Sequence, residues 1–130
     1  FGYDEVINYK EENDLSNSIK KIAPNGIDCF FDNVGGTQFD AVMENLNIKA
    51  RIVICGTIGM PSFPMPIGPR VNRTLLIKRA KIEGLLVLDY FNKYQEIYNK
   101  LLKWYIKSKL VSKEDISDGL ESAPASLVKF

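Results

Sequence analysis

Ile27-Asp28-Cys29-Phe30-Phe31-Asp32-Asn33-Val34-Gly35-Gly36 is the stretch on which the fold turns. Its first six residues are nearly continuous in apolar character, and the glycine pair then breaks the chain. Near-continuous apolar strands mark parallel sheets whose two faces are both covered by crossover helices. Downstream, Phe39, Val42, Met43 and Leu46 recur on one face of a helix, and Arg51-Ile52-Val53-Ile54-Cys55 reads as the next strand, ending at Gly56. Upstream, Pro24-Asn25-Gly26 is turn chemistry. It closes a helix that Asn13-Asp14 can cap and that carries Leu15, Ile19 and Ile22 at helical spacing. Before that, the β-branched run Val6-Ile7-Asn8-Tyr9 reads as a first strand. Strand, helix, strand, helix, strand predicts an α/β fold, a doubly wound parallel sheet with right-handed crossovers. Ligands of such sheets sit at the carboxyl ends of the strands. Here those ends are Tyr9, then Asn33 to Gly36, then Gly56-Thr57-Ile58-Gly59.

Beyond Gly59 the texture changes. Pro61, Pro64, Pro66 and Pro69 predict an irregular loop over residues 60–69, because proline removes donors and fixes φ. A short helical turn over 74–80 follows, then a fourth strand from Lys81 to Leu88. The strongest helical pattern runs over 92–109, with Tyr94, Ile97, Tyr98, Leu101, Trp104 and Tyr105 as an apolar stripe expected to be core. Its lysines read as a solvated face. Ile116-Ser117-Asp118-Gly119-Leu120 suits a short extended piece, and Ser122 is placed to cap a last helix with Pro124 in its first turn.

Composition narrows the function classes. The chain has 130 residues, 17 Lys and Arg against 16 Asp and Glu, 45% hydrophobic residues and no His. That length suits one domain or part of one. The near-zero charge gives no electrostatic case for a nucleic-acid binder. Without His, a Ser-His-Asp triad, a Cys-His pair and His-ligated zinc are all outside this chain's reach. Its two cysteines, Cys29 and Cys55, make neither a four-thiolate metal site nor a disulfide framework, so no metal and a reducing, cytoplasmic setting are expected. No run reaches the roughly 18–20 apolar residues of a membrane span, and no basic-then-apolar leader is seen. The chain opens on Phe1 and stops within an apolar pattern, which reads as an internal piece of a longer protein.

The chemistry-bearing residues lie at the strand ends. Asp32-Asn33-Val34-Gly35-Gly36 leads into a helix, where glycine lets backbone approach a bound group and helix amides favour phosphate or carboxylate. A plain β–α turn explains the same glycines. Cys55-Gly56-Thr57-Ile58 offers a backbone-lined floor for a flat cofactor. Cys55 reads as a small buried hydrophobe rather than a nucleophile, and Cys29 as core. Tyr9 could bond a ribose phosphate, although strand-end tyrosines are common in any sheet. Neither a Walker lysine motif nor G-x-G-x-x-G is present.

An ordered set of segments carries a family resemblance: Gly2-Tyr3-Asp4-Glu5-Val6-Ile7-Asn8-Tyr9, the run from Gly26 to Gly36, Arg51-Ile52-Val53-Ile54-Cys55-Gly56 with Ile58, Glu83-Gly84-Leu85-Leu86-Val87 with Asp89-Tyr90, and Glu114-Asp115-Ile116 with Asp118-Gly119-Leu120-Glu121 and Ala123-Pro124. The chain resembles the zinc-independent branch of the medium-chain dehydrogenase/reductase superfamily, and in it the NADP-dependent alkenal double-bond reductases and prostaglandin reductases. The resemblance implies that residues 1–112 are a partial NADP-binding Rossmann domain lacking its glycine-rich βαβ unit. Residues 113–130 would be a return segment towards a GroES-like substrate domain. It implies an oxidoreductase that uses NADPH to transfer hydride to the carbon–carbon double bond of α,β-unsaturated ketones or aldehydes. It also implies a homodimer and no bound zinc.

By the same resemblance Tyr9 meets the adenosine ribose phosphate and Asn33 contacts the cofactor. Residues Cys55, Gly56, Thr57 and Ile58 form the turn against it, and Leu85, Leu86 and Val87 lie on the strand whose backbone meets the carboxamide. The family tyrosine expected after the Cys-Gly-x-Ile turn is replaced by Gly59-Met60-Pro61-Ser62, and Tyr90 is a poor substitute, so no catalytic residue is assigned. A relative that keeps the fold as a non-catalytic nucleotide-binding or structural protein is the alternative, and the isolated chain is expected to be inactive.

Overall fold

The computed structural model describes residues 1–64 and 66–129. Met65 of the proline-rich stretch and Phe130 of the closing segment lie outside the described residues. The chain divides into two compact units, one spanning residues 2–91 and the other comprising Phe1 with the residues from Asn92 onward.

In the first unit three parallel strands lie in the order β1 (Ile27–Asp32), β2 (Leu46–Ile54), β3 (Lys81–Gly84). The connections are α2 (Gly36–Glu44) and α3 (Asn72–Lys78), and α1 (Leu15–Ile22) precedes β1. Helix α1 begins where its capping residue predicts. The Asp14 carboxylate accepts from the Asn17 amide at 2.9 Å, which satisfies one of the orphan donors of the first turn. It ends at Pro24-Asn25-Gly26, with Gly26 at φ 81°. The core lies between these helices and one face of the sheet: Ile19, Ala41, Val42, Met43, Leu46, Ala50 and Ile52 are buried, with Phe30, Ile54, Leu75 and Ile82 packed against them.

The structure departs from several sequence expectations in this unit. Val6-Ile7-Asn8-Tyr9 forms no strand. A β-branched run needs a neighbouring backbone to take its hydrogen bonds, and no described strand pairs with it; only Ile7 packs against the core. Strand β2 starts at Leu46, earlier than Arg51, because Ile27 pairs with Leu46 and an irregularity follows before Cys29 pairs with Arg51. Lys49 takes up that irregularity with φ 65°. Strand β3 stops at Gly84, and the chain passes into two 3-10 turns over Val87–Lys93, kinked at Tyr90. The sheet is covered on one face only within this unit. The registered pairs Cys29–Arg51 and Phe31–Val53 lie on the other face, where Cys29 and Phe31 are exposed. Cys29 is therefore not core, and the Arg51 guanidinium donates to its Sγ at 3.0 Å.

The second unit holds α4 (Tyr94–Ile106) and α5 (Ala123–Val128). Helix α4 is shorter than 92–109, and no residue in it is buried. The expected core stripe is exposed instead, from 43% at Leu101 to 62% at Tyr94 and Tyr105. Periodicity fixes which residues share a face, whereas burial depends on something lying against that face. Ser122 does not cap α5; its hydroxyl donates to the Gly119 carbonyl at 2.7 Å, while Pro124 occupies the first turn as expected. No helix among the described residues is long and apolar enough to cross a membrane.

Candidate functional site

Parallel register brings the strand ends level. Asp32 pairs with Ile54, and Ile54 with Gly84. The next residue on each strand is Asn33, Cys55 and Leu85, so three of the stretches singled out in the sequence leave the sheet side by side at its carboxyl edge. The Leu85 amide still donates to the Ile54 carbonyl at 2.8 Å, which makes it the last rung of the ladder. Leu86 and Val87 lie beyond that rung and are exposed, because the strand ends before them.

The β1 and β2 ends are laced together beyond the sheet. The Asp32 carbonyl accepts from the Cys55 amide at 2.7 Å and the Gly56 amide at 3.2 Å. Ile58 and Gly59 amides then donate to the Asn33 and Val34 carbonyls at 3.3 and 2.9 Å. The two turns lie so close that a Cβ on Gly56 would sit 2.9 Å from the Asn33 carbonyl oxygen, and one on Gly59 would meet Val34 at 2.8 Å. Glycine is required there by close approach. Cys55 and Gly56 are half-buried in this lacing, whereas Thr57 and Ile58 are exposed, Ile58 at 88%.

Two cavities flank the edge. Tyr9 and Asn33 line one of about 300 Å³, together with Ile7, Val34 and Gln38. Tyr9 thus shares a groove with Asn33 although no strand carries it there. The other cavity, about 290 Å³, is lined by Gly35, Gly36, Phe39, Asp40, Thr57 and Met60. The Asp40 carboxyl is raised above its ordinary range, first by burial and second by the charge of Glu44. No cluster of potential metal ligands occurs among the described residues.

The sequence alone gives Asp32 no role of its own. It is 3% exposed, and its Oδ1 accepts from both the Val34 and Gly35 amides at 2.9 Å. The signal was present: an Asp at a strand end, with a turn following it, is the pattern in which the side chain bonds amides two and three residues on. Asp40 and Met60 carried no comparable signal, because the α2 and loop segments that bring them together are distant in sequence.

The edge suits an extended, flat, polar cofactor on the chemistry of its groups. Two interlaced turns present their backbone at the carboxyl edge of the sheet, and Asn33 and Tyr9 line one groove beside them. Comparison with known proteins bears on what such an edge serves. The family model described as zinc-binding dehydrogenase matches residues 1–105. A 2-alkenal reductase (NADP(+)-dependent) of Nicotiana tabacum is 42% identical over 128 residues, which is 98% of this chain and 37% of that protein. A (+)-pulegone reductase of Mentha piperita is 39% identical over the same shares. The crystal structure of CurA from Vibrio vulnificus in complex with NADPH superposes with a TM-score of 0.84 at 37% identity, covering 98% of this chain and 39% of that one. The chain thus spans a little over a third of the length of the relatives it matches.

Proposed function

Since the chain belongs to the zinc-binding dehydrogenase family and resembles the alkenal and enone reductases within it, we propose that it forms part of an NADPH-dependent reductase of carbon–carbon double bonds in α,β-unsaturated ketones and aldehydes. The convergence of Asn33, Cys55 and Leu85 at one glycine-lined sheet edge carries this reading. Bound NADPH would supply the hydride for the double bond. This chain's residues would bind and orient it. Asn33 offers a side-chain amide for the cofactor from the β1 end, and Tyr9 a phenol for the ribose phosphate in the same groove. Cys55, Gly56, Thr57 and Ile58 form a wall of backbone against it. Leu85, Leu86 and Val87 offer main-chain groups to its carboxamide.

Residues 1–112 are assigned to the cofactor domain and 113–130 to the return segment; the boundary between the compact units, at Asn92, falls inside the first of these. The whole protein is proposed to act in the cytoplasm as a homodimer on small enones and enals. Titration of the full-length protein with NADPH tests the reading, followed by turnover of a simple enone. Saturable NADPH binding that Asn33→Ala weakens, together with reduction of the double bond, is the expected result. Binding of NADPH without turnover of any enone or enal would leave a nucleotide-binding relative in its place.

A further inference from the structure

We propose that Asp32 is the positioning residue of the cofactor edge, holding Asn33 and both strand-end turns in the geometry that receives NADPH. The proposal rests on the NADPH reading above. Four amides from two turns converge on this one residue. Val34 and Gly35 donate to its side-chain Oδ1, both at 2.9 Å, and Cys55 and Gly56 donate to its carbonyl at 2.7 and 3.2 Å. At 3% exposure its carboxylate is shielded from water, so these contacts hold the turn with little competition from solvent.

Asn33 sits between the two sets of bonds. Its own carbonyl accepts from the Ile58 amide, and the residue is exposed and lines the groove shared with Tyr9. Asp32 also lines both cavities. With its Oδ1 taken by the Val34 and Gly35 amides, Asp32 acts through Asn33 and through the backbone of the Gly56 turn.

The position asks for an acceptor oxygen rather than for a charge. Asparagine keeps such an oxygen at the same reach, whereas alanine leaves the Gly35 amide buried with no partner. The test uses the full-length protein with Asp32→Asn, Asp32→Ala, Asn33→Ala and the double variant Asp32→Ala/Asn33→Ala. NADPH affinity, KM for NADPH and for an enone, and amide exchange over residues 33–36 and 55–59 are measured.

Asp32→Ala is expected to raise the Kd and KM for NADPH by about tenfold while the KM for the enone changes little. Asp32→Asn stays within about threefold of the parent. The double variant loses no more than the larger of the two single variants, because one residue acts through the other. Amide exchange quickens over residues 33–36 in Asp32→Ala and not in Asp32→Asn, whereas Cys55 and Gly56 keep the main-chain carbonyl of residue 32 in every variant. Equal losses in Asp32→Asn and Asp32→Ala overturn the proposal, as do additive losses in the cycle. So does an Asp32→Ala protein that is less stable yet binds NADPH normally. If Asp32→Ala does not fold, the Asp32→Asn affinity and exchange decide alone. If the parent protein binds no NADPH, the functional reading fails, and the exchange data still judge whether the Asp32 side chain holds the turn over residues 33–36.

Discussion

At Gly56 the backbones of two turns come closer than a methyl group allows. A Cβ there would meet the Asn33 carbonyl oxygen at 2.9 Å, and that oxygen belongs to a turn already tied down by Asp32. The neighbour is backbone and cannot swing away. Gly56→Ala should therefore cost about 1–3 kcal/mol of stability, the range of overpacking in a tight site, and should weaken NADPH binding by displacing Asn33. Urea unfolding and a binding titration on the same protein check both effects. Asp40 makes a second prediction, of opposite sign. Burial and Glu44 raise its folded-state pKa, so the native state favours the protonated form. The resulting stabilisation is complete below the unfolded pKa and is lost as pH rises through the folded one. Near neutral pH the charged form is a liability. Asp40→Asn is expected to raise the urea midpoint at pH ~7, with the gain fading towards pH ~4 as the parent carboxyl takes up its proton.

Among the elements, α1 shows how sequence and packing cooperate. Its start was legible from Asp14 and its apolar face from Leu15 and Ile19, because cap and periodicity are local. Its seating on α2 was not legible. Asn45, just past the end of α2, donates through Nδ2 to the Ser16 carbonyl at 3.1 Å, the Ser16 hydroxyl at 3.0 Å and the Ala41 carbonyl at 2.9 Å. Ser16 and Asn45 are 29 residues apart, and no local pattern links them. Asn45→Ala removes these contacts, which share the two amide hydrogens, and should cost about 1–2 kcal/mol, read as a lower urea midpoint with an unchanged slope. Strand and helix lengths were less legible for the same reason. Lys81 to Leu88 looks uniformly strand-like, yet the ladder ends at Gly84 with one further bond at Leu85. Only the partner strand decides where pairing stops.

For the whole molecule, coverage sets the expectation. The relatives are much longer than this chain, which spans 37% of the tobacco and mint reductases. One sheet face in the first unit is uncovered, and the apolar stripe of α4 is exposed. Residues 1–130 produced alone are expected to show no NADPH-dependent reduction of an enone. The full-length protein should show it in the same assay, followed by the loss of NADPH absorbance. Turnover by residues 1–130 alone would mean that this segment holds a complete site.

The sequence by itself determined the parallel α/β order, the cap and stop of α1, the glycine turns at Gly35-Gly36 and Gly56, and the family resemblance. Each is written in neighbouring residues or in a short period. Tertiary structure decided that Val6 to Tyr9 stays unpaired and that Tyr9 nevertheless shares a groove with Asn33. It also decided that Asp32 gathers four amides from two turns and that the α4 stripe is not core. Pairing, burial and close approach each need a second segment distant in sequence, and where that segment comes to lie is a property of the fold.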